Sequence, residues 1–528
     1  MKKVFLLIPL SILLSAGNNL FSQPTLSFNK TFGSSGYEGI NDIAEGGDGK
    51  IVLLCYATKD SGDVNCNFKG GSDVWLVCID ATGNILWQQC YGGSDDEIPH
   101  RIVRTNDYGF LFTASTFSND GDVSGNHGAS DVWVVKLDSM GLLQWQRCIG
   151  STAGEDPEFS MELANGKYLI TCITLGNNGD FPVHYGGYFN DDAWVVILNM
   201  DGSLDSSYHY GGSQDDFIKH VIELPNGDRM MFGYTASSDY DLSSTVAYGN
   251  NDGWIFKTDS IGNMLWQNRW GGTNSDGYIS AVQMNDGGYL IGGTSSSTGG
   301  DFTSNHGAAD LWLVKVNSLG DKQWQKLYGG SGSESGDFEQ RLAKVNSNLF
   351  TMGGWTDSND GDVGINLGQE DYWFISVDSL GNIISKRVSG GTDNDYMLVN
   401  AVFEDNPYQG GVTESNDYDI LYQHGLDDAW FIQFTNFELV GELNVEESCV
   451  KIYPNPLHAQ FYIDACSSLL AKKAILEIYS VTGDEIMHKK IYKNHEEILI
   501  PELAIGTYVY ELTNEHGDKV MSGKLIVK

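Results

Sequence analysis

One short frame, Asp-x-Trp, returns seven times in this chain and constrains its fold more than anything else in the sequence. It stands at Asp73/Trp75, Asp131/Trp133, Asp192/Trp194, Asp252/Trp254, Asp310/Trp312, Asp371/Trp373 and Asp428/Trp430, with successive tryptophans 57 to 61 residues apart. Eight residues after each of the first six tryptophans comes a glycine: Gly83, Gly141, Gly202, Gly262, Gly320 and Gly381. Four further on stands Trp87, Trp145, Trp266 or Trp324, with Ser206 and Ser385 as exceptions. Five beyond that comes another glycine, usually in a Gly-Gly-Ser/Thr turn: Gly92, Gly150, Gly211, Gly271, Gly329 and Gly390. Self-similarity at a fixed period is the signature of a repeat architecture.

Each unit reads as four strands, because short alternating apolar runs separated by turn residues favour strands over helices. In the second copy these are Arg101–Thr105, Phe110–Thr116, Asp131–Asp138 and Leu142–Ile149. Four strands in about 60 residues match a β-propeller blade. The seventh copy lacks its fourth strand after Trp430, and the missing piece stands at the other end of the chain. Aligned on Gly33, Phe28 takes the outer tryptophan position and Phe32 that of Tyr91, Tyr210 and Tyr328. The fold class expected is all-β: a seven-bladed β-propeller over residues 24–446, closed by an N-terminal strand that leaves no sticky edge.

The stretch from Ile79 to Trp87 resembles the tryptophan-docking motif of quinoprotein-like propellers, in which tryptophans pack between neighbouring blades. Those dehydrogenases typically have eight blades and adjacent cysteines at the cofactor, and both are absent here. The frame also differs from the sialidase Asp-box, which is one residue shorter between Asp and Trp. The resemblance implies neither cofactor nor sugar-cleaving chemistry.

The loop before each Asp-x-Trp carries the second repeated signal. In the second copy it reads SNDGDVSGNHGASDVW, residues 118 to 133. Asp122 recurs in every copy, as Asp63, Asp180, Asp241, Asp301, Asp362 and Asp419, each eight residues after a small residue that suggests crowded packing. A companion acid two residues earlier appears in four: Asp120, Asp239, Asp360 and Asp417. Such pairs could supply some oxygen ligands to calcium, yet no following glutamate completes a standard loop. The competing reading is a turn capped by Asp and Asn side chains, with glycines at positive φ. His127 recurs only as His306 and His424, in copies that are not all neighbours, which argues against one shared metal centre. Loops and inter-blade turns of a propeller emerge on one end, so most of the negative charge should gather there.

The ends of the chain speak of export. Lys2 and Lys3 precede an apolar run from Val4 to Leu14, the form of a secretory signal peptide cleaved near residue 23. No later apolar run approaches the length of a membrane span. Eight cysteines suit an exported chain. Cys449 with Cys466 is the best pair and Cys55 with Cys78 a weaker one, while Cys90 and Cys148 read as packed thiols. A net charge of −39 makes nucleic acid a poor partner. From Cys449 onward lysines nearly match acids, and a module of alternating strands over residues 447–528 reads as a small β-sandwich. Its Tyr453-Pro454-Asn455-Pro456 opening, its Gly506-x-Tyr508 strand and its basic end at Lys528 resemble the type A C-terminal sorting domain of the type IX secretion system of Bacteroidetes. That resemblance implies handling by the type IX machinery, and a protein released outside or attached to the outer-membrane surface.

Three functions fit. The first is a non-enzymatic binder of polysaccharide or surface protein. The second is a glycan- or peptide-degrading enzyme, for which His100, Arg101, His184, His209 and His220 are candidates that nothing in the sequence brings together. The third is a structural surface or matrix component. No catalytic set is legible, and calcium is the one cofactor the residues suggest.

Overall fold

The computed structural model describes residues 24–187, 190–302, 304–335, 342–437, 450–453, 460–465, 475–480, 485–493, 495–499, 504, 506–513 and 519–527. The signal peptide, the Cys449–Cys466 pair, Pro454, Asn455, Pro456 and Lys528 lie outside the described residues. The chain divides into two compact units, Met1–Glu438 and Leu439–Lys528.

Among the described residues the first unit holds seven antiparallel sheets in chain order and one 3₁₀ turn at Tyr240–Ser244. The second sheet is typical: Glu97–Arg104, Phe110–Thr116, Asp131–Leu137 and Leu143–Ile149, each paired with the next. Its first strand begins at Glu97, four residues before the expected Arg101, because the Glu97 carboxyl anchors that end. In the seventh sheet the fourth strand is Thr25–Phe32, paired antiparallel with Asp428–Thr435 from Thr25 opposite Thr435 to Phe32 opposite Ala429.

The repeated residues explain the sheets. The third strand is buried along its whole length, as in Asp131–Leu137, so it reads as a continuous apolar run. Each tryptophan faces the small residue of the second strand: Trp133 opposite Ala114, Trp254 opposite Gly233, Trp430 opposite Gly411. A bulge between Ile218 and His220 carries the first strand over this spot, where a Cβ on Gly233 would lie 1.9 Å from the Phe217 carbonyl oxygen. Trp133 Nε1 donates to Gln146 Oε1 at 2.8 Å on the fourth strand, and Trp430 Nε1 donates at 2.8 Å to Asn29 Oδ1 of the N-terminal strand. Asn29 thus does for the seventh sheet what glutamine does for the second.

Neighbouring sheets meet through the outer aromatic ring. Gly141 turns at φ +75°, and a Cβ there would come within 2.6 Å of Trp87 in the preceding sheet. Trp145, Trp266 and Trp324 pack on the next sheet's glycine in the same way, and Tyr208 does so where Ser206 replaces tryptophan. Phe28 of the N-terminal strand packs on Gly83 of the first sheet.

Two cysteine expectations are corrected. Cys55 and Cys78 are free and buried, since both lie in strands whose cores they fill, while Cys90 is bonded to Cys66, which the preceding loop brings to the fourth strand of the first sheet. Cys148 is a buried free thiol, as expected.

In the second unit, Val450–Tyr453, Gln460–Ala465 and His495–Leu499 form one sheet. Glu485–Lys490, Ile475–Ser480, Gly506–Thr513 and Lys519–Val527 form the other. Their alternating apolar residues, among them Phe461, Ile463, Leu476, Ile478, Leu512 and Leu525, are buried. Gly506 and Tyr508 lie in the long strand, and Tyr508 Oη donates to the Ala504 carbonyl at 2.8 Å.

Candidate functional site

The Asp-x-Asp loops are clamps between consecutive sheets. Asp122 N–H donates to the Gly92 carbonyl at 2.9 Å, and Gly92 N–H returns a bond to Asp122 Oδ2 at 3.3 Å. The same backbone bond recurs at Asp63, Asp180, Asp241, Asp301, Asp362 and Asp419. The return bond to the carboxylate, which is what calls for an acid, recurs at Asp63, Asp180, Asp241, Asp301 and Asp362, while Asp419 holds Arg387. The companion acid has a lesser duty. Asp120, Asp239, Asp360 and Asp417 each accept one amide of the Gly-Gly turn, from Ser94, Ser213, Ser331 and Thr392 at 2.6–2.9 Å. Asn178 and Ser61 do this work in two other sheets, so the site asks for an acceptor rather than a charge. Among the described residues no group of three or more His, Cys, Asp or Glu is arranged to hold a metal ion. Asp120→Asn is expected to move the unfolding midpoint by less than about 2 °C, and calcium against chelator to leave it unchanged. A calcium-dependent rise of several degrees, lost in the Asp120→Asn/Asp122→Asn protein, would make the loop a metal site.

The loop histidines have a structural partner. His127 Nδ1 and His306 Nδ1 each lie 2.6 Å from the buried Asp of their own Asp-x-Trp, Asp131 and Asp310, and His424 Nδ1 lies 2.9 Å from Asp428. His209 and Arg269 reach Asp192 and Asp252 from the fourth strand, both at 2.7 Å. A second buried acid, unnoticed in the sequence, opens every first strand: Glu38, Glu97, Glu155, Asp216, Asp276, Glu334 and Asp395. Each accepts the amide four residues before it, as Glu97 does from Gly93 at 2.8 Å. Each also faces the Asp-x-Trp acid of the preceding sheet across the turn glycine. A Cβ on Gly92 would lie 2.3 Å from Glu97 Oε2 and 2.5 Å from Asp73 Oδ1, so only glycine fits. Burial raises the carboxyls that open the first strands and that of Asp73; Asp73 and Asp216 are pushed up to about 6. The signal was present as an acid five residues after the first glycine of each turn, hidden by the Asp/Glu alternation.

The residues that break the seven-fold pattern gather in two places. In the second to fourth sheets, Ser115 Oγ donates to Asp156 Oδ1 at 2.5 Å, and His100 Nε2 lies 3.1 Å from Ser115 Oγ. Lys219 pairs with Glu158, and burial pushes His100 down to about 4. Arg101 and His220 both pack on Phe159, at 4.6 and 4.7 Å. His184 and His209 share Asp192 instead, with His184 Nε2 at 3.8 Å. The five catalytic candidates thus fall into two neighbouring groups. Ser115 is fully buried, which closes its hydroxyl to a substrate.

The second place is a cavity of about 650 Å³ between the loops of the sixth and seventh sheets, lined by Ile365, Leu367, Lys386, Arg387, Tyr418 and Asp419, among others. Arg387 holds Asp419 through two contacts of 2.8 and 2.9 Å. Tyr418 stands in the middle of an Asp-x-Asp loop at φ +48°, where five of the seven loops have glycine, and is 66% exposed.

Residues 451–528 match the family described as the secretion system C-terminal sorting domain. The chain carries a type IX sorting domain at its C-terminus. That domain directs it to the outside of the cell or to its surface, and no helix among the described residues is long and apolar enough to cross a membrane. No curated protein matches the sequence. Solved structures with some likeness include a protein of unknown function from Dyadobacter fermentans, 12% identical over 67% of this chain and 99% of that one, with a TM-score of 0.38. A fungal alcohol oxidase of the AA5 family, in complex with copper, is 11% identical over 96% and 99% at 0.41. PorZ, a surface component of the type IX secretion system of Porphyromonas gingivalis, is 9% identical over 96% and 86% at 0.26. Likeness this distant says nothing about activity.

Proposed function

We propose that residues 24–446 form a closed seven-bladed propeller, exported by the sorting domain of residues 447–528. On this reading the propeller is a non-enzymatic module that binds polysaccharide or surface protein through its loop-bearing end. Closure is supported by the N-terminal strand, which pairs with the seventh sheet and packs Phe28 on the first. The binding role rests on a division of labour among side chains. The acids and histidines that repeat are committed to internal hydrogen bonds, whereas the cavity that holds the repeated Asp419 is also lined by Tyr418 and Lys386, which depart from the repeat. A bound ligand raises the unfolding midpoint by mass action, so a panel of polysaccharides and outer-membrane fractions is the direct test. A rise of several degrees with one of them is expected, and no rise with any would remove the binding role.

The cluster of Asp156, Glu158, Lys219 and His100 favours an enzyme as second reading, since paired carboxylates in unlike surroundings serve acid–base chemistry. Turnover of a glycan or peptide, lost in Glu158→Gln without loss of affinity, would decide for it.

A further inference from the structure

We propose that Trp355 and Tyr396, at the loop-bearing end of the sixth and seventh sheets, form a subsite for a lysine side chain of a partner polypeptide, with Glu370, Glu414 and Asp427 as its counter-charge. The inference rests on the binding role above and names the chemistry of the partner. Its first ground is the molecule's own example. In the fourth sheet Phe217 and Tyr234 face each other across the first two strands and stack 4.5 Å apart. Lys219 Nζ lies 5.2 Å from the centre of the first ring and 6.0 Å from that of the second, and Glu158 pairs with it. Asp191, the residue before its Asp-x-Trp, adds negative charge around Tyr234. An ammonium group over aromatic faces is held by the ring quadrupoles, and its stem packs on the same rings. The fourth sheet thus builds a lysine site and fills it from its own first strand.

The second ground is that the sixth and seventh sheets repeat the rings and the acids. Trp355 has the register of Tyr234, and Tyr396 that of Phe217. Both are half-buried where the loops emerge, with ring centroids 6.1 Å apart and planes at 88°. The residue before Asp-x-Trp is Ser72, Ser130, Asn251 or Ala309 in four sheets, but Glu370 and Asp427 in these two. Burial raises the Tyr396 hydroxyl, and the charges of Glu370, Glu414 and Asp427 raise it further, which sets all three about that ring. Asp427 is itself raised, by burial first and then by Glu414 and Asp428. Glu414 accepts one bond, from Asn394 Nδ2 at 3.0 Å. Among the described residues Glu370 and Asp427 enter no ion pair, and no lysine or arginine stands over either ring. Leu398 is the bulged residue of the seventh first strand, as Lys219 is of the fourth. The lysine therefore comes from another chain. In a protein of net charge −39, the acid-rich end favours a partner that carries several such side chains in a row.

Both variants that test this borrow from the repeat. Trp355→Thr takes the residue of the fifth sheet, Thr294, and Asp427→Ser that of the first and second, Ser72 and Ser130. The full exported protein is titrated calorimetrically with tetralysine, its side-chain-acetylated form and spermidine. Tetralysine is expected to bind at one site and the acetylated form not at all. Its affinity should fall about tenfold in Trp355→Thr and severalfold in Asp427→Ser, with both variants still folded at the titration temperature. Trp355 carries no charge, so tetralysine binding that is undiminished in Trp355→Thr is a general attraction to the acidic surface and overturns the site. If Trp355→Thr fails to fold, Asp427→Ser decides in the same way against Asp405→Asn, a loss of equal charge at an exposed turn. Spermidine bound as tightly as tetralysine, with the same loss in the variant, overturns the polypeptide partner. Absence of tetralysine binding, with a midpoint still raised by an outer-membrane fraction, overturns the site and leaves the binding role. No response to either overturns the site and removes its support from the binding role.

Discussion

A chain that lacks residues 24–33 is expected to lose most of the stability of its repeat unit and to aggregate. The strand Thr25–Phe32 pairs with Asp428–Thr435 from Thr435 back to Ala429, and its loss leaves a row of unpaired backbone groups beside Trp430 and Phe431. It also removes Phe32, which is fully buried, the acceptor of Trp430 Nε1 at Asn29, and the ring of Phe28 on Gly83. Phe32→Ala alone costs about 3–5 kcal/mol by the usual measure of a large core truncation. The strand as a whole contributes more, against a total stability on the order of 5–15 kcal/mol. Thermal unfolding of truncated, Phe32→Ala and intact protein measures this series. A synthetic peptide of residues 24–35, added to the truncated chain, should restore the midpoint in proportion to its concentration. If the truncated chain unfolds at the same temperature as the intact one, the N-terminal strand closes nothing.

The strand donation was legible because it rests on spacing alone: Phe28, Asn29, Phe32 and Gly33 fall in the register of a fourth strand even though the chain separates them from Trp430 by 400 residues. The same reasoning found the Asp-x-Trp frame and the outer aromatic ring, since a repeat exposes whatever is obligatory. At Asp120 and Asp122 it read a turn capped through backbone amides without saying which amides. The sequence displays two acids close together and hides their partners, the amides of Ser94 and Gly92, which the fold brings back from nearly thirty residues upstream. Cys90 was misread because it shares a register with Cys148, whereas its bond depends on where the loop carries Cys66. The cavity was invisible for a similar reason. Ile365 and Tyr418 share no signal in the sequence, and only the fold sets their two loops, 53 residues apart, side by side.

The buried acid pairs carry the last expectation, that the protein is most stable in mild acid and loses stability as the pH rises to 8. The pairs join Asp73 with Glu97, Asp131 with Glu155, Asp192 with Asp216, Asp252 with Asp276, Asp310 with Glu334, Asp371 with Asp395 and Asp428 with Glu38. In each the like charge raises at least one member: Asp73, Glu155, Asp216, Asp276, Glu334, Asp395 and Glu38. Burial is the larger cause of the rise, and the hydrogen bonds from Gly93, Gly212 and their counterparts oppose it without cancelling it. A carboxyl raised in the folded state binds its proton more tightly there than in the unfolded chain. Its contribution is therefore fully present below the ordinary carboxylate range and is lost as the pH climbs through the folded value. With Asp73 and Asp216 near 6, the window opens at about 4 and extends past 6. His100, pushed down to about 4, works the other way between that value and about 6.5, but it is one group against many. Below about 4 the half-buried turn aspartates, Asp259 and Asp228 among them, reverse the trend, because hydrogen bonds hold them low and their contribution fades as they protonate. The midpoint should thus peak between about pH 4 and 5. Asp395→Asn tests the cause: the amide keeps an acceptor for Gly391 and removes one charge from beside Asp371. The variant is expected to unfold several degrees above the parent at pH 8 and to match it near pH 5, so its profile is flatter. A parent profile that rises from pH 5 to 8, or an Asp395→Asn profile parallel to it, would place the pH dependence in the surface charge and not in the buried pairs.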